Sequence, residues 1–144
     1  VFTISSDGTF GTQASVTSTS AVSFASGSLH WVRVTRAATS GDTAFYISTD
    51  GQSWALLDTV QQLAAGSSIF ASSAVLEIGA HFVGTTSNLS GNLYYADIRN
   101  GIDGPVVAKF DASEGAINGS SFTSSTGEVW TINGSAVLTT ASLA

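Results

Sequence analysis

The sequence contains no cysteine, no methionine, a single proline and only four lysine plus arginine residues among its 144. Without cysteine no disulfide can staple the fold, so stability has to come from a buried core. The only cations other than histidine are Arg33, Arg36, Arg99 and Lys109, scattered along the chain. A duplex-binding surface needs several such groups to displace phosphate counterions, so no nucleic-acid partner is expected. No apolar run approaches the ~20 residues that cross a bilayer, and the opening carries no basic segment followed by an apolar one. Membrane insertion is therefore not expected. Long runs of helix formers are missing as well.

What is present favours strands joined by tight turns. Ser, Thr, Val, Gly and aromatic residues are plentiful, and 43% of residues are hydrophobic, enough to bury a core. The length is that of one ordinary domain, so residues 1–144 read as a single domain. Charge is sparse and acidic in balance, at a net −6, which suits solubility, divalent cations or neutral ligands such as glycans. Val1-Phe2-Thr3-Ile4-Ser5 reads as the inside of a strand, so the chain is expected to be a piece of a longer polypeptide.

Val1 to Ile4 alternates apolar and polar residues and stops at the turn signal Ser6-Asp7-Gly8. Residues 11–28 are rich in Ser, Thr, Ala and Gly, with Val16, Val22 and Phe24 marking one or two weak strands. Leu29 to Arg36 sets Val32 and Val34 against Trp31, Arg33 and Thr35, the period of a strand with one core face and one half-wet face. Thr43 to Thr49, Asp50-Gly51 and Trp54 to Leu57 complete a meander. A short helical turn is expected over Val60 to Ala65, ended by Gly66. Strands follow at Val75 to Phe82, Leu93 to Arg99 and Val106 to Asp111, and a last hairpin pairs Glu128–Ile132 with Ala136–Thr140 around Asn133-Gly134. No period of about 20 to 50 residues recurs, which argues against a propeller or solenoid. Many short strands with turn residues between them predict an all-β, two-sheet antiparallel sandwich.

Specific residues go further. Leu29-His30-Trp31-Val32-Arg33-Val34-Thr35-Arg36, then Phe45 to Trp54, then Leu76-Glu77-Ile78-Gly79, then Gly91 to Arg99 follow one another in an order that resembles the concanavalin A-like, or laminin G-like, jelly roll. The continuation Asn100 to Asp111, with Gly127 to Ile132 later, is similar to versions of this domain carried by phage tail and minor tail proteins. The resemblance implies a virion or extracellular setting, with host-surface glycan and other virion subunits as partners and a homo-oligomer in the full-length protein.

Glycoside hydrolases on this sandwich carry E-(I/L)-D-x-x-E on one strand, two carboxylates about 5–5.5 Å apart. Here the comparable stretch is Glu77-Ile78-Gly79-Ala80-His81, with glycine where the aspartate should be, so hydrolysis of that type is not expected. His30 and His81 are the only candidate bases for a serine nucleophile, and no G-x-S-x-G elbow lies near either. Ser48-Thr49-Asp50-Gly51-Gln52-Ser53-Trp54 is one residue short of the sialidase Asp-box, S-x-D-x-G-x-T-W, and reads as a hairpin whose Ser and Asp side chains bond turn amides while Trp54 packs.

Laminin G-like domains often hold calcium at a sandwich rim, and the loop carboxylates Asp42, Asp103 and Asp111 are the candidate ligands here, although no D-x-D-x-D-G loop gathers them. For a glycan, Tyr94 and Tyr95 are adjacent, so at least one faces away from the core. Together with Phe82 and Asn88 in the neighbouring loop they form the candidate patch. The expected function is non-enzymatic: a virion domain, on a tail fibre, tail tip or head decoration, that attaches to host-surface carbohydrate. The alternatives are a purely structural spacer or oligomerisation sandwich, and a secreted bacterial lectin or adhesin domain.

Overall fold

A computed structural model describes residues 1–80, 85–86 and 88–139. The chain is all-β with several antiparallel sheets, and it divides into two compact units, Val1–Ser73 and Ala74–Ala144. Among the described residues no helix is long and apolar enough to cross a membrane.

In the first unit, β1 (Phe2–Ser5) and β2 (Gln13–Val16) form a hairpin, joined through a single 3-10 turn at Phe10–Thr12. A second sheet has β4 (Asp42–Ser48) at its centre, with β3 (Trp31–Arg36) along one side. Two short strands pair with β4 on the other side, β5 (Ala55–Leu56) and β6 (Gln61–Gln62). Alternation along each strand turns Ile4, Val16, Phe45 and Leu63 into one buried cluster, with Phe2, Ala14, Leu57 and Ala64 packed around it. Arg36 closes the far end of this sheet. Its Nε donates to the Leu63 carbonyl (3.2 Å) and its Nη2 to those of Ala64 (2.7 Å) and Ser67 (2.8 Å), which satisfies backbone acceptors left over where β6 ends.

The second unit holds two hairpins. β7 (Tyr95–Arg99) pairs with β8 (Val106–Asp111), and β9 (Ser121–Thr123) with β10 (Val129–Thr131). Phe110 packs edge-on against Phe122 (5.6 Å between ring centres) and against Trp130 (5.5 Å, rings at 90°). The Trp130 indole N–H donates to the Lys109 carbonyl at 2.7 Å, so one side chain ties β10 to β8 by both packing and hydrogen bond. A 3-10 turn at Ala112–Glu114 follows β8 and is capped by Asp111, whose Oδ1 accepts from the Ser113 amide at 3.0 Å.

Four local expectations are corrected. The helical turn over Val60 to Ala65 is absent, because Gln61 and Gln62 pair with Thr43 and Asp42 of β4 instead. The strand over Val75 to Phe82 is not formed in its described part, Val75–Ala80; Leu76 and Ile78 instead line a cavity of about 180 Å³ beside Ala96, Ile98, Ala108 and Trp130. His81 and Phe82 lie outside the described residues. The last hairpin turns earlier than Asn133-Gly134: Gly127 takes a φ of +102°, and the Ser124 amide donates to the Glu128 carbonyl at 2.8 Å, which directs β10 back onto β9. On β3 the exposure runs opposite to the alternation reading. Val32 is 67% and Val34 41% exposed, while Trp31, Arg33 and Thr35 are half-buried.

Candidate functional site

The face of the β3–β4–β5 sheet opposite the core collects the largest side chains of the first unit. Residues directly paired across strands point to the same side, and the register sets Arg33 against Tyr46, Trp31 against Ser48 and Tyr46 against Leu56. The Arg33 guanidinium lies 5.6 Å over the Tyr46 ring and 5.7 Å over the Trp54 ring. Trp31, Arg33, Tyr46 and Trp54 are all half-exposed, so this face offers rings and a cation to the outside without being core.

The β4–β5 turn holds this group in place. The Ser48 hydroxyl donates to Asp50 Oδ1 (2.8 Å) and accepts from the Gly51 amide (2.9 Å), while Asp50 Oδ1 also accepts from the amides of Gln52 (2.8 Å) and Ser53 (2.7 Å). The Ser53 and Gln52 amides, with the Ser48 hydroxyl, hold the Asp50 carboxyl far below the usual carboxylate range. Gly51 has a φ of +71°, and Trp31 lies directly on it: a Cβ there would sit 2.8 Å from Trp31 Cε2. The turn bonds read from Ser48 and Asp50 in the sequence are the bonds formed. What the sequence reading missed is the platform those bonds support. The register of the Asp50-Gly51 hairpin was the available signal, since it sets Tyr46 beside Arg33.

A second relation also escaped. Phe2-Thr3-Ile4-Ser5-Ser6-Asp7-Gly8 and Phe45-Tyr46-Ile47-Ser48-Thr49-Asp50-Gly51 share Phe, Ile, Ser, Asp and Gly at matching places. The two turns are built alike. The Gly8 amide donates to Ser5 Oγ (2.8 Å), the Thr9 amide to Asp7 Oδ1 (2.8 Å), and Gly8 takes a φ of +82° under the ring of Phe70. The hydroxyl of Thr12, then the amide and hydroxyl of Thr9, lower the Asp7 carboxyl to about 2.

The residues expected at a site are placed as follows. Asn88 is exposed in a stretch without regular structure, and Phe82 lies outside the described residues. Tyr94 is half-buried, its carbonyl taking the Ala112 amide at 3.0 Å. The Tyr95 hydroxyl donates to Asp97 Oδ2 (3.1 Å), an oxygen that also accepts from Arg99 Nε (3.1 Å) and Nη2 (3.0 Å). Burial, then the Asp97 charge, raises the Tyr95 phenol above its usual value. Of the calcium candidates, Asp42 belongs to the first unit and bonds Ser40 and Gln62. Asp103 and Asp111 belong to the second. Asp103 adopts a left-handed turn conformation at φ +58°, and Asp111 caps its 3-10 turn with Lys109 Nζ 3.7 Å away. Among the described residues no three His, Asp or Glu side chains gather where they could hold a metal ion.

Lys109 is engaged further. Its ammonium bonds Glu114, which holds the lysine above its usual value and the glutamate below its own. His30 stacks on Phe24, ring centres 4.0 Å apart and planes 6° off parallel, with both ring nitrogens buried and without a hydrogen-bond partner. A general base needs a hydrogen-bonded nucleophile and an orienting group, and His30 has neither in this setting. Compared with family models, with curated proteins and with solved structures, the chain matches none. The laminin G-like resemblance therefore rests on the residues that carry it.

Proposed function

We propose that this chain is a non-enzymatic β-sandwich domain of the concanavalin A-like kind that binds carbohydrate through the outer face of β3–β4–β5. The observation that carries the reading is the half-exposed group Trp31, Tyr46 and Trp54 gathered around Arg33 on a sheet face. The apolar face of a pyranose stacks on flat, rigid rings of this sort, and a held guanidinium supplies hydrogen-bond donors beside them. His30 without a catalytic partner and glycine at position 79 favour binding over turnover. The resemblance to phage tail domains supports a place on a virion surface, with host-surface glycan as the ligand.

A glycan array and whole-cell binding on the isolated protein test this. Binding is expected to be saturable, to fall at least tenfold in Trp54→Ala and Tyr46→Ala, and to persist in Tyr94→Ala/Tyr95→Ala. Loss confined to the Tyr94/Tyr95 variant would move the site to the second unit. A second reading, a spacer or subunit-packing domain, is favoured by the exposed Val32 and Val34 on the side strand β3. Light scattering showing a stable oligomer, with no glycan or cell binding, would support that reading instead.

A further inference from the structure

The ring platform would serve a neutral sugar without a cation at its centre, and this one has a guanidinium there. The other three basic side chains are built into the fold: Arg36 bonds three backbone carbonyls, Arg99 bonds Asp97, and Lys109 bonds Glu114. Arg33 differs in its position, over the rings of Tyr46 and Trp54 and half-exposed on the face proposed to bind. Contact through its flat sides fixes the plane of a guanidinium, while its N–H donors radiate from the edge of that plane. A carboxylate is the anion whose two oxygens match that edge.

We propose that this face selects acidic sugars, with the pyranose ring on the aromatic side chains and its carboxylate on the Arg33 guanidinium. The inference rests on the carbohydrate-binding reading above and adds the class of sugar to it. A net charge of −6 gives the chain no diffuse attraction for polyanions, so acidic-glycan binding has to be a local matter of this one site. Lysine would keep the charge but lose both the planar fork and the stacking. Glutamine would lose the charge as well.

The test is a panel of immobilised uronate-bearing, sialate-bearing and neutral glycans, with each acidic member also offered after reduction of its carboxylate to a primary alcohol. Retention on acidic members is expected, falling at least tenfold on their reduced forms, at least tenfold in Arg33→Gln and several-fold in Arg33→Lys. Equal binding to neutral and reduced glycans would overturn the acidic preference and leave carbohydrate binding standing. Acidic binding that Arg33→Gln does not change would overturn the role of Arg33. No binding anywhere on the panel would remove both readings. Thermal melting of the variants checks their folding, and should Arg33→Gln not fold, the reduced glycans on the unaltered protein decide.

Discussion

Two glycines in the first unit are held by rings that come from elsewhere in the chain. Gly8 lies under Phe70 and Gly51 under Trp31, both in the left-handed region. A methyl group at either position meets two penalties, the backbone cost of about 1–2 kcal/mol for a left-handed non-glycine residue and the displacement of an aromatic ring. Gly27 has a φ of +83° with nothing within 4 Å of its Cβ position, so it meets only the first. Gly51→Ala and Gly8→Ala are therefore expected to lower the unfolding free energy by about 2–4 kcal/mol in urea titrations, and Gly27→Ala by about 1. Equal losses at all three would mean that the rings yield freely. Asp-Gly was legible as a turn at both places, because the signal is local. The ring on top was not, since nothing near Gly51 in the sequence points to Trp31.

The strands themselves were the most legible level. β1, β3, β4, β7 and β8 fall where alternation and turn residues place them, because a half-buried strand writes its period into the sequence. Which side of β3 is covered was not legible. The β1–β2 hairpin delivers Ile4 and Val16 onto Phe45 of the central strand, and β3 lies to the side of that contact, so its valines stay open while the aromatic face fills in. Period alone distinguishes two faces without saying what lies over either. Val32→Thr is accordingly expected to change stability by less than about 0.5 kcal/mol, against about 3–5 kcal/mol for Phe45→Ala, again by urea titration. A large loss at Val32 would show that something covers it in solution. The candidate site was the least legible feature, since it needs the pairing of Arg33 with Tyr46 and then Trp54 arriving from beyond a turn.

Across the whole molecule, acid acts through a few turn carboxylates. Asp7 is lowered from 3.8 to about 2, and Asp50 is lowered further still. In the second unit Glu128 is lowered from 4.5 to about 2 by the Ser124 hydroxyl and then that of Thr126. Each accepts hydrogen bonds that require the ionised form, so the folded chain binds fewer protons than the unfolded one between pH 4.5 and about 2. Their contribution is complete above the unfolded values and is lost as pH falls through that window. The melting temperature is expected to be level from about pH 5 to 7 and to decline below about 4.5, with Asp7→Asn/Asp50→Asn/Glu128→Gln lowering the plateau and flattening the acid limb. An acid limb unchanged in that variant would assign the decline to other groups. The same window contains the sequence isoelectric point near 4.4, so the mutual repulsion that keeps copies apart fades as the turns weaken.

The placement of the tryptophans has an optical consequence. Trp31 and Trp54 belong to the first unit and Trp130 to the second, where its indole is pinned to the Lys109 carbonyl and set edge-on to Phe110. Each half of the chain thus carries its own intrinsic fluorophore. Replacing Trp31 and Trp54 by phenylalanine leaves an emission spectrum that belongs to the second half alone, and replacing Trp130 leaves one that belongs to the first. The colour of the emitted light then reports, without any attached dye, whether the two halves come apart in one step or in sequence.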